Sequence, residues 1–336
     1  ARCRFSRPVQ STTLPHLRSM HQGHTCPPAR SGHCTGFLLR IGPGGWACGR
    51  TRTCIGLRTA SNRRTTPGAR HNAGFSDCLP LPAMPVTLPA EPLPEVNISE
   101  DGTSRFLHLD SPWVQGSMRL KDPLALDLEY IQRMMAWLLF VDFGSLPDRH
   151  TMQLGLGAAS LTKFTSKKLG MLTSCVELNP AVYRACRQWF RLPDNHERLN
   201  VMLGDAAEVI RQPEWQGAID ALQVDLYDHE AAAPVLDDAD FYRACRAVLT
   251  PDGCMTVNLF GRCSRFERSV QHMAEAFGAD ALWAFRPTRE GNTVVLAQRT
   301  PSRPQRAELA ARAALIEQHT GLPANKWLRV FRPLQA

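Results

Sequence analysis

The stretch Leu154-Gly155-Leu156-Gly157-Ala158-Ala159-Ser160, followed by Val176-Glu177-Leu178-Asn179-Pro180, decides how the chain is read. Thr151–Leu154 reads as a short strand and Ser160–Lys168 as a helix. Two glycines between them let the backbone turn tightly and approach a ligand closely where the helix begins. Alone, such a turn is as compatible with plain structure as with a ligand cradle. Glu177 shifts the balance, because it ends the next strand, Met171–Leu178, twenty residues past Gly157. A carboxylate at that point can accept both hydroxyls of a ribose. Its bland alternative is a solvated acid at a strand end.

Outward from this unit the alternation continues. The pattern predicts a helix over Ala181–Phe190, a strand over Leu199–Leu203, a short helix over Ala206–Arg211 and a strand over Ile219–Leu226. It then predicts a helix over Asp238–Leu249, broken by Pro251-Asp252-Gly253, a strand over Cys254–Leu259 and a helix over Ser264–Phe277. Two last strands, Ala281–Phe285 and Thr293–Gln298, read as an antiparallel hairpin at the sheet's edge. Residues 149–300 are therefore expected to form a Rossmann-like α/β domain with a doubly wound, mainly parallel sheet and helices on both faces. Residues 301–336 read as a terminal helix, Arg306–His319, and a tail. No internal repeat is visible.

Ahead of the domain, residues 104–148 read as a small β-hairpin and a helix. Its strands are Arg105–Leu109 and Val114–Leu120. Asp122 caps the helix, Pro123 opens it, and Leu124, Leu128, Ile131, Met135 and Leu138 recur at helical spacing through Leu139. Residues 84–103 are Pro-rich and read as a linker.

Two more acids stand at strand ends: Asp205 after Gly204, and Asp225 in Val224-Asp225-Leu226-Tyr227-Asp228. Ligands of open α/β sheets bind outside the carboxyl ends of the strands, so these turns are expected to meet in one crevice. Asp205 could accept from an adenine amino group. A dinucleotide dehydrogenase would want a third glycine where Ser160 stands, and a second mononucleotide half that does not follow. A ligand without phosphates fits the turn better.

Composition separates a leader from the rest. Residues 1–83 hold 12 Arg, no Lys and one acid, Asp77, a net +11, whereas residues 84–336 carry −3 against the whole-chain +8. The basicity is thus confined to the leader, which argues against a nucleic-acid partner. Rich in Arg, Pro, Gly, Ser, Thr and Cys and with little hydrophobic periodicity, the leader is expected to be disordered or an over-extended start, with Met84 the natural first residue. His24, Cys26, His33 and Cys34 lie near one another, but their spacing fits no common zinc site, and no metal is expected. Cys175, Cys186, Cys245, Cys254 and Cys263 stand singly in apolar patterns, which fits a reducing, cytoplasmic compartment. No apolar run reaches the roughly 18–20 residues that span a bilayer, so no membrane partner is expected.

Taken in order, a larger set of residues resembles the spermidine synthase (polyamine aminopropyltransferase) family, in particular its shorter bacterial members, from about Phe106 to Gln298. They are Leu109-Asp110-Ser111 with Gln115, Leu128-Glu129-Tyr130-Ile131-Gln132, the glycine turn and Val176 to Pro180. Gly204-Asp205-Ala206, Asp225-Leu226-Tyr227-Asp228, Phe241-Tyr242 and Pro251-Asp252-Gly253 complete the set. The resemblance implies an N-terminal β segment before an S-adenosylmethionine-dependent methyltransferase-like Rossmann domain. It implies aminopropyl transfer from decarboxylated S-adenosylmethionine to an amine acceptor, with a homodimer as the assembly. Carried over residue by residue, Gln115 and Glu177 would hold the ribose-bearing part, and Asp205 and Ala206 the adenine, with Gly155 and Gly157 the cofactor-binding turn. Asp225 would help to deprotonate the amine, Asp228 would bind its charge, and Tyr130 and Tyr227 would contact the substrate, with Trp113 a further wall.

The chain departs from the family in three places. Ala158 stands where the glycine turn usually carries an Asp that grips the aminopropyl ammonium. Ile131-Gln132 replaces the usual His-Glu after Tyr130, and the catalytic loop reads Asp225-Leu226-Tyr227-Asp228-His229. His229 could act as a replacement base, although a lone loop His reads more simply as a surface residue. Three functions therefore stay open: an aminopropyltransferase, a methyltransferase using S-adenosylmethionine itself, and a non-catalytic nucleoside-binding member.

Overall fold

The computed structural model describes residues 93–227, 236–260 and 263–334. The leader 1–83 with its His/Cys group, and Asp228 and His229, lie outside the described residues.

Three short antiparallel strands come first: β1 (Val96–Glu100), β2 (Ser104–Leu109) and β3 (Gly116–Arg119), in the order β1-β2-β3. The expected linker 84–103 thus contains a strand at its end. Asp101-Gly102 makes the turn between β1 and β2. The Asp101 Oδ1 accepts from the backbone N–H of Thr103 and of Ser104, at 2.9 and 2.8 Å, and Gly102 takes φ +85°. An Asp-Gly pair between extended runs is a strong local hairpin signal, and it was there to be read.

The long helix expected from Pro123 is corrected. Only α1 (Glu129–Arg133) is α-helical, and it continues as 3₁₀ turns over Met134–Phe140 and Phe143–Asp148. Asp122 instead closes a local turn, with Ala125 N–H donating to its carbonyl at 3.1 Å. The Asp127 carboxylate accepts from Ser104 Oγ at 3.0 Å and from Arg119 Nε at 2.7 Å, and also from Ser117. These three donors from the small sheet hold residues 122–128 against it and keep them from winding.

The large sheet follows. Its elements are β4 (His150–Leu154), α2 (Ser160–Lys163) with a π-helical turn Phe164–Lys168, β5 (Leu172–Glu177), α3 (Pro180–Trp189) and β6 (Leu199–Leu203). Then come α4 (Ala206–Val209), β7 (Ile219–Val224), α5 (Ala239–Val248), β8 (Leu249–Phe260), α6 (Cys263–Phe277), β9 (Leu282–Phe285) and β10 (Asn292–Gln298). The chain closes with α7 (Arg306–Thr320), α8 (Ala324–Val330) and β11 (Phe331–Pro333). Strand order is β11-β9-β10-β8-β7-β4-β5-β6, parallel from β8 to β6 and antiparallel for the rest. This is the expected doubly wound, mainly parallel arrangement.

Two details differ from the sequence reading. β8 starts at Leu249 and runs through Pro251-Asp252-Gly253 as a bulge, its partners jumping from Ile219↔Leu249 to Ala221↔Cys254. The β9–β10 hairpin is not the edge, because β11 pairs with β9 outside it. Aromatic packing recruits that tail strand: the Phe331 ring lies 4.6 Å from Phe285 and 5.3 Å from Trp283, centroid to centroid.

Both faces of the sheet are covered. On one, the 3₁₀ segment Met134–Leu139 packs with Phe164, Leu296, Ile316 and Trp327; on the other, Met152, Leu222, Met255 and Tyr242 form a second core. Met134 and Met135 are core. Thr256 Oγ1 donates to the Met134 carbonyl at 3.0 Å, tying β8 to the start of the 3₁₀ segment. Cys175, Cys186, Cys245 and Cys254 are buried free thiols. No helix among the described residues is long and apolar enough to cross a membrane. From β4 the chain crosses to β5 on one side and later returns to β7 on the other. The crevice of the fold therefore lies outside the carboxyl ends of β4 and β7.

His150, at the opposite end of β4, bonds Ser174 Oγ through Nε2 at 2.9 Å and meets the Trp215 ring edge-on. Withdrawal from water pushes its imidazole down to about 4, only partly opposed by Asp220. The unfolded chain binds a proton near 6.5 that the folded one refuses until about 4, so the imidazole favours folding above 6.5 and loses that contribution as pH falls towards 4. Denaturant unfolding should show stability falling more steeply over that window in the wild type than in His150→Gln; equal slopes would remove His150 from this role.

Candidate active site

The glycine turn is shaped by what lies against it. Gly155 takes φ +87°, and a Cβ there would stand 2.4 Å from the Asp225 carbonyl oxygen, so only glycine fits. The same approach is laced by hydrogen bonds: Asp225 N–H to the Leu154 carbonyl at 3.0 Å and Gly155 N–H to the Val176 carbonyl at 2.9 Å. On the other side β3 leans on the turn. A Cβ on Gly116 would meet the Ala158 nitrogen at 2.5 Å, and Ser160 Oγ donates to the Ser117 carbonyl at 2.7 Å. This docking brings Gln115 and Trp113 from the small sheet to the mouth of the crevice.

Glu177 is buried at the end of β5. Its Oε2 accepts from Leu156 N–H at 2.9 Å and its Oε1 from Asn179 N–H at 2.7 Å. Burial pushes the carboxyl up from its usual range, and these backbone donors pull it back. Each oxygen still has a lone pair for a ligand hydroxyl. Asp205 caps α4, accepting from Ala207 N–H at 2.6 Å, with Ala206 beside it.

At the end of β7, Asn258 Nδ2 donates to Asp225 Oδ1 at 3.0 Å, and the Tyr130 hydroxyl bonds the same carboxyl. Withdrawal from water raises Asp225 to about 6, against the pull of these two donors. Tyr130 is pushed well above its ordinary value by its own desolvation and by Asp225. The Tyr227 hydroxyl donates to the Asn258 backbone carbonyl at 2.7 Å, and Asn292 Nδ2 donates to Asn258 Oδ1 at 3.1 Å.

These groups surround one cavity of about 750 Å³. Gln115, Tyr130, Gly155, Gly157, Glu177, Asp205, Ala206, Asp225 and Tyr227 all line it, as does Trp113. Of the residues singled out in the sequence, Asp228 lies outside the described residues. Ala158 is buried against β3 and is not part of the lining. Six acids line the cavity: Asp127, Glu129, Glu177, Asp205, Asp225 and Glu290. Among the described lining residues there is no Lys, Arg or His. The sequence reading missed Asp127, Glu129, Asn258, Glu290 and Asn292. Asn258 had a signal: it is a polar residue between Val257 and Leu259 at the carboxyl end of a buried strand, where Glu177 and Asp225 were recognised. Glu290 and Asn292 carried none, since only the β8–β10 pairing brings that turn to the crevice.

No family model matches the chain. A polyamine aminopropyltransferase of Chromobacterium violaceum is 33% identical over 240 residues, 71% of this chain and 89% of that protein. One from Neisseria meningitidis serogroup A is 34% identical over 237 residues, 70% of this chain and 88% of its own length. Among solved structures, a probable spermidine synthase from Corynebacterium glutamicum superposes with a TM-score of 0.56 at 18% identity, covering 70% of this chain and 88% of that one. Human methyltransferase-like protein 13 in complex with SAH gives 0.52 at 20% identity, covering 62% and 96%. Those two likenesses concern the fold, which they share with this chain. From the identity to the curated relatives, and the share of their length that is matched, the chain belongs to the polyamine aminopropyltransferase family.

Proposed function

We propose that the protein transfers an aminopropyl group from decarboxylated S-adenosylmethionine to a small amine. The observation that carries this is the charge of the cavity: six carboxyl groups and, among the described lining residues, no cationic side chain. Decarboxylated S-adenosylmethionine brings a sulfonium and an ammonium, and an amine acceptor brings a further positive charge. A cleft of one sign concentrates the opposite one. Intact S-adenosylmethionine carries a carboxylate that this lining would repel, which favours aminopropyl over methyl transfer.

Gly155 and Gly157 leave the backbone bare for close approach, and Glu177 offers its spare lone pairs to ribose hydroxyls. Gln115 closes the same end, and Asp205 with Ala206 lies where the base would sit. When bound, the sulfonium supplies an activated carbon and a neutral leaving group. What the protein must add is an uncharged amine, because an ammonium has no free electron pair. Asp225 meets that need: with a value of about 6 it is ionised near neutral pH, attracts the ammonium and can take its proton. The Tyr130 hydroxyl orients the carboxylate, and Tyr227 walls the acceptor side.

Calorimetric titration should show decarboxylated S-adenosylmethionine binding roughly tenfold or more tightly than the intact form, a difference of about 1.4 kcal/mol. The reverse order would favour a methyltransferase. In Asp225→Asn, turnover with an amine acceptor should fall roughly a hundred- to ten-thousand-fold while affinity for the sulfonium compound stays within a few-fold; unchanged turnover would remove Asp225 as the base. A base must be unprotonated to act, so wild-type kcat/KM should rise with pH through about 6. A profile flat across that region would contradict the assignment.

A further inference from the structure

We infer that Asn292 is a positioning residue, acting through Asn258 to aim a hydrogen-bond donor at Asp225. The inference rests on the reading of Asp225 as the base. A carboxylate only accepts, so the bond from Asn258 to Asp225 exists only while the Asn258 amide turns its Nδ2 that way. The opposite rotamer would set Asn258 Oδ1 against the carboxylate. The group on the far side reinforces the choice that the carboxylate already favours: Asn292 Nδ2 donates to Asn258 Oδ1 at 3.1 Å. A flipped Asn258 would lose that bond and gain an oxygen–oxygen contact at Asp225.

The backbone is held at both ends of the relay. Asn292 opens β10, its N–H donating to Thr288 Oγ1 at 3.2 Å and its carbonyl accepting from Thr288 N–H at 2.7 Å. Asn258 sits in β8, where the Tyr227 hydroxyl holds its carbonyl at 2.7 Å. The β9–β10 turn thus reaches a catalytic carboxylate that lies two strands away. Asp225 also faces the Tyr130 hydroxyl from α1 and Tyr227 from its own loop, and shares the cavity with Asp127, Glu129, Glu177, Asp205 and Glu290. Amid that much negative charge, and away from water, each donor to the ionised form counts. Losing one leaves the carboxyl protonated further up the pH scale and less sharply aimed.

Two substitutions test this, with two readouts each. Asn292→Leu removes the donor without adding charge, and Asn292→Asp offers acceptors in the same shape. Both should move the acid limb of kcat/KM upward, by about one pH unit for Asn292→Asp and less for Asn292→Leu. Asn292→Gln, which keeps an amide donor, should restore the limb towards wild type. In an Asn258→Leu background, Asn292→Leu should cause no further shift, since the relay is already cut. Carbon NMR titration of labelled aspartate, with the Asp225 signal assigned by its loss in Asp225→Asn, should report the same shifts without any turnover. A wild type that transfers no aminopropyl group would therefore defeat the functional proposal while leaving the relay measurable. An unmoved Asp225 titration in folded Asn292→Leu, or an equal shift with Asn258 already replaced, would overturn the relay.

Discussion

The site depends on one close approach, that of the Gly155 backbone to the Asp225 carbonyl. No side chain fits between them, and the Asp225 N–H to Leu154 bond fixes their distance. β4 and β7 are neighbours at the point where the sheet's winding reverses, so their carboxyl ends open a crevice with no crossover above it. Substituting Gly155 would push the strand ends apart and carry Asp225 away from Tyr130 and Asn258. Packing here sets the geometry of the site, because Asp225 is placed by backbone contacts before any side chain acts.

Concentrating six carboxyl groups around one cavity has an electrostatic cost, and the fold offsets it with donors. Glu177 takes two backbone N–H groups, Asp205 one, and Asp127 two hydroxyls and a guanidinium. Glu129 pairs with the buried Arg133, whose Nη1 also donates to the Arg286 carbonyl at 2.5 Å. Asp225 has two side-chain donors, and both are neutral. That difference has a chemical consequence. A charged partner would hold the carboxyl low and weaken it as a base, whereas neutral donors orient it and leave it at about 6.

Much of this was legible in the sequence. The glycine turn, Glu177, Asp205 and Asp225 follow from local period and from the rule that ligands sit at strand ends, and the structure gathers all of them round one cavity. Local signals failed where tertiary contacts decide. Residues 122–128 have helical spacing, but Asp127 is claimed by three donors from the small sheet and the segment turns and bends instead of winding into a helix. Phe331 looked like tail, yet it completes an aromatic cluster that adds an edge strand. The relay through Asn292 depends on strand pairing alone, and no pattern within residues 288–292 announces it.

The alanine at position 158 has a structural counterpart. Ala158 is 2% exposed, and its nitrogen and Cβ fall 2.5 and 2.7 Å from where a Gly116 Cβ would be. A longer side chain at 158 would have to displace β3, and a side chain on Gly116 would collide with the turn, so the two small residues permit each other. With the turn packed this closely, the negative charge of the cavity comes from elsewhere in the lining. Asp127 and Glu129 stand on the segment beside Tyr130, and Glu290 on the β9–β10 turn, which lies against the Phe260 ring. The cavity therefore keeps its anionic character while the glycine turn becomes a packing surface for the small sheet. Its charge is spread over elements that the turn does not itself position.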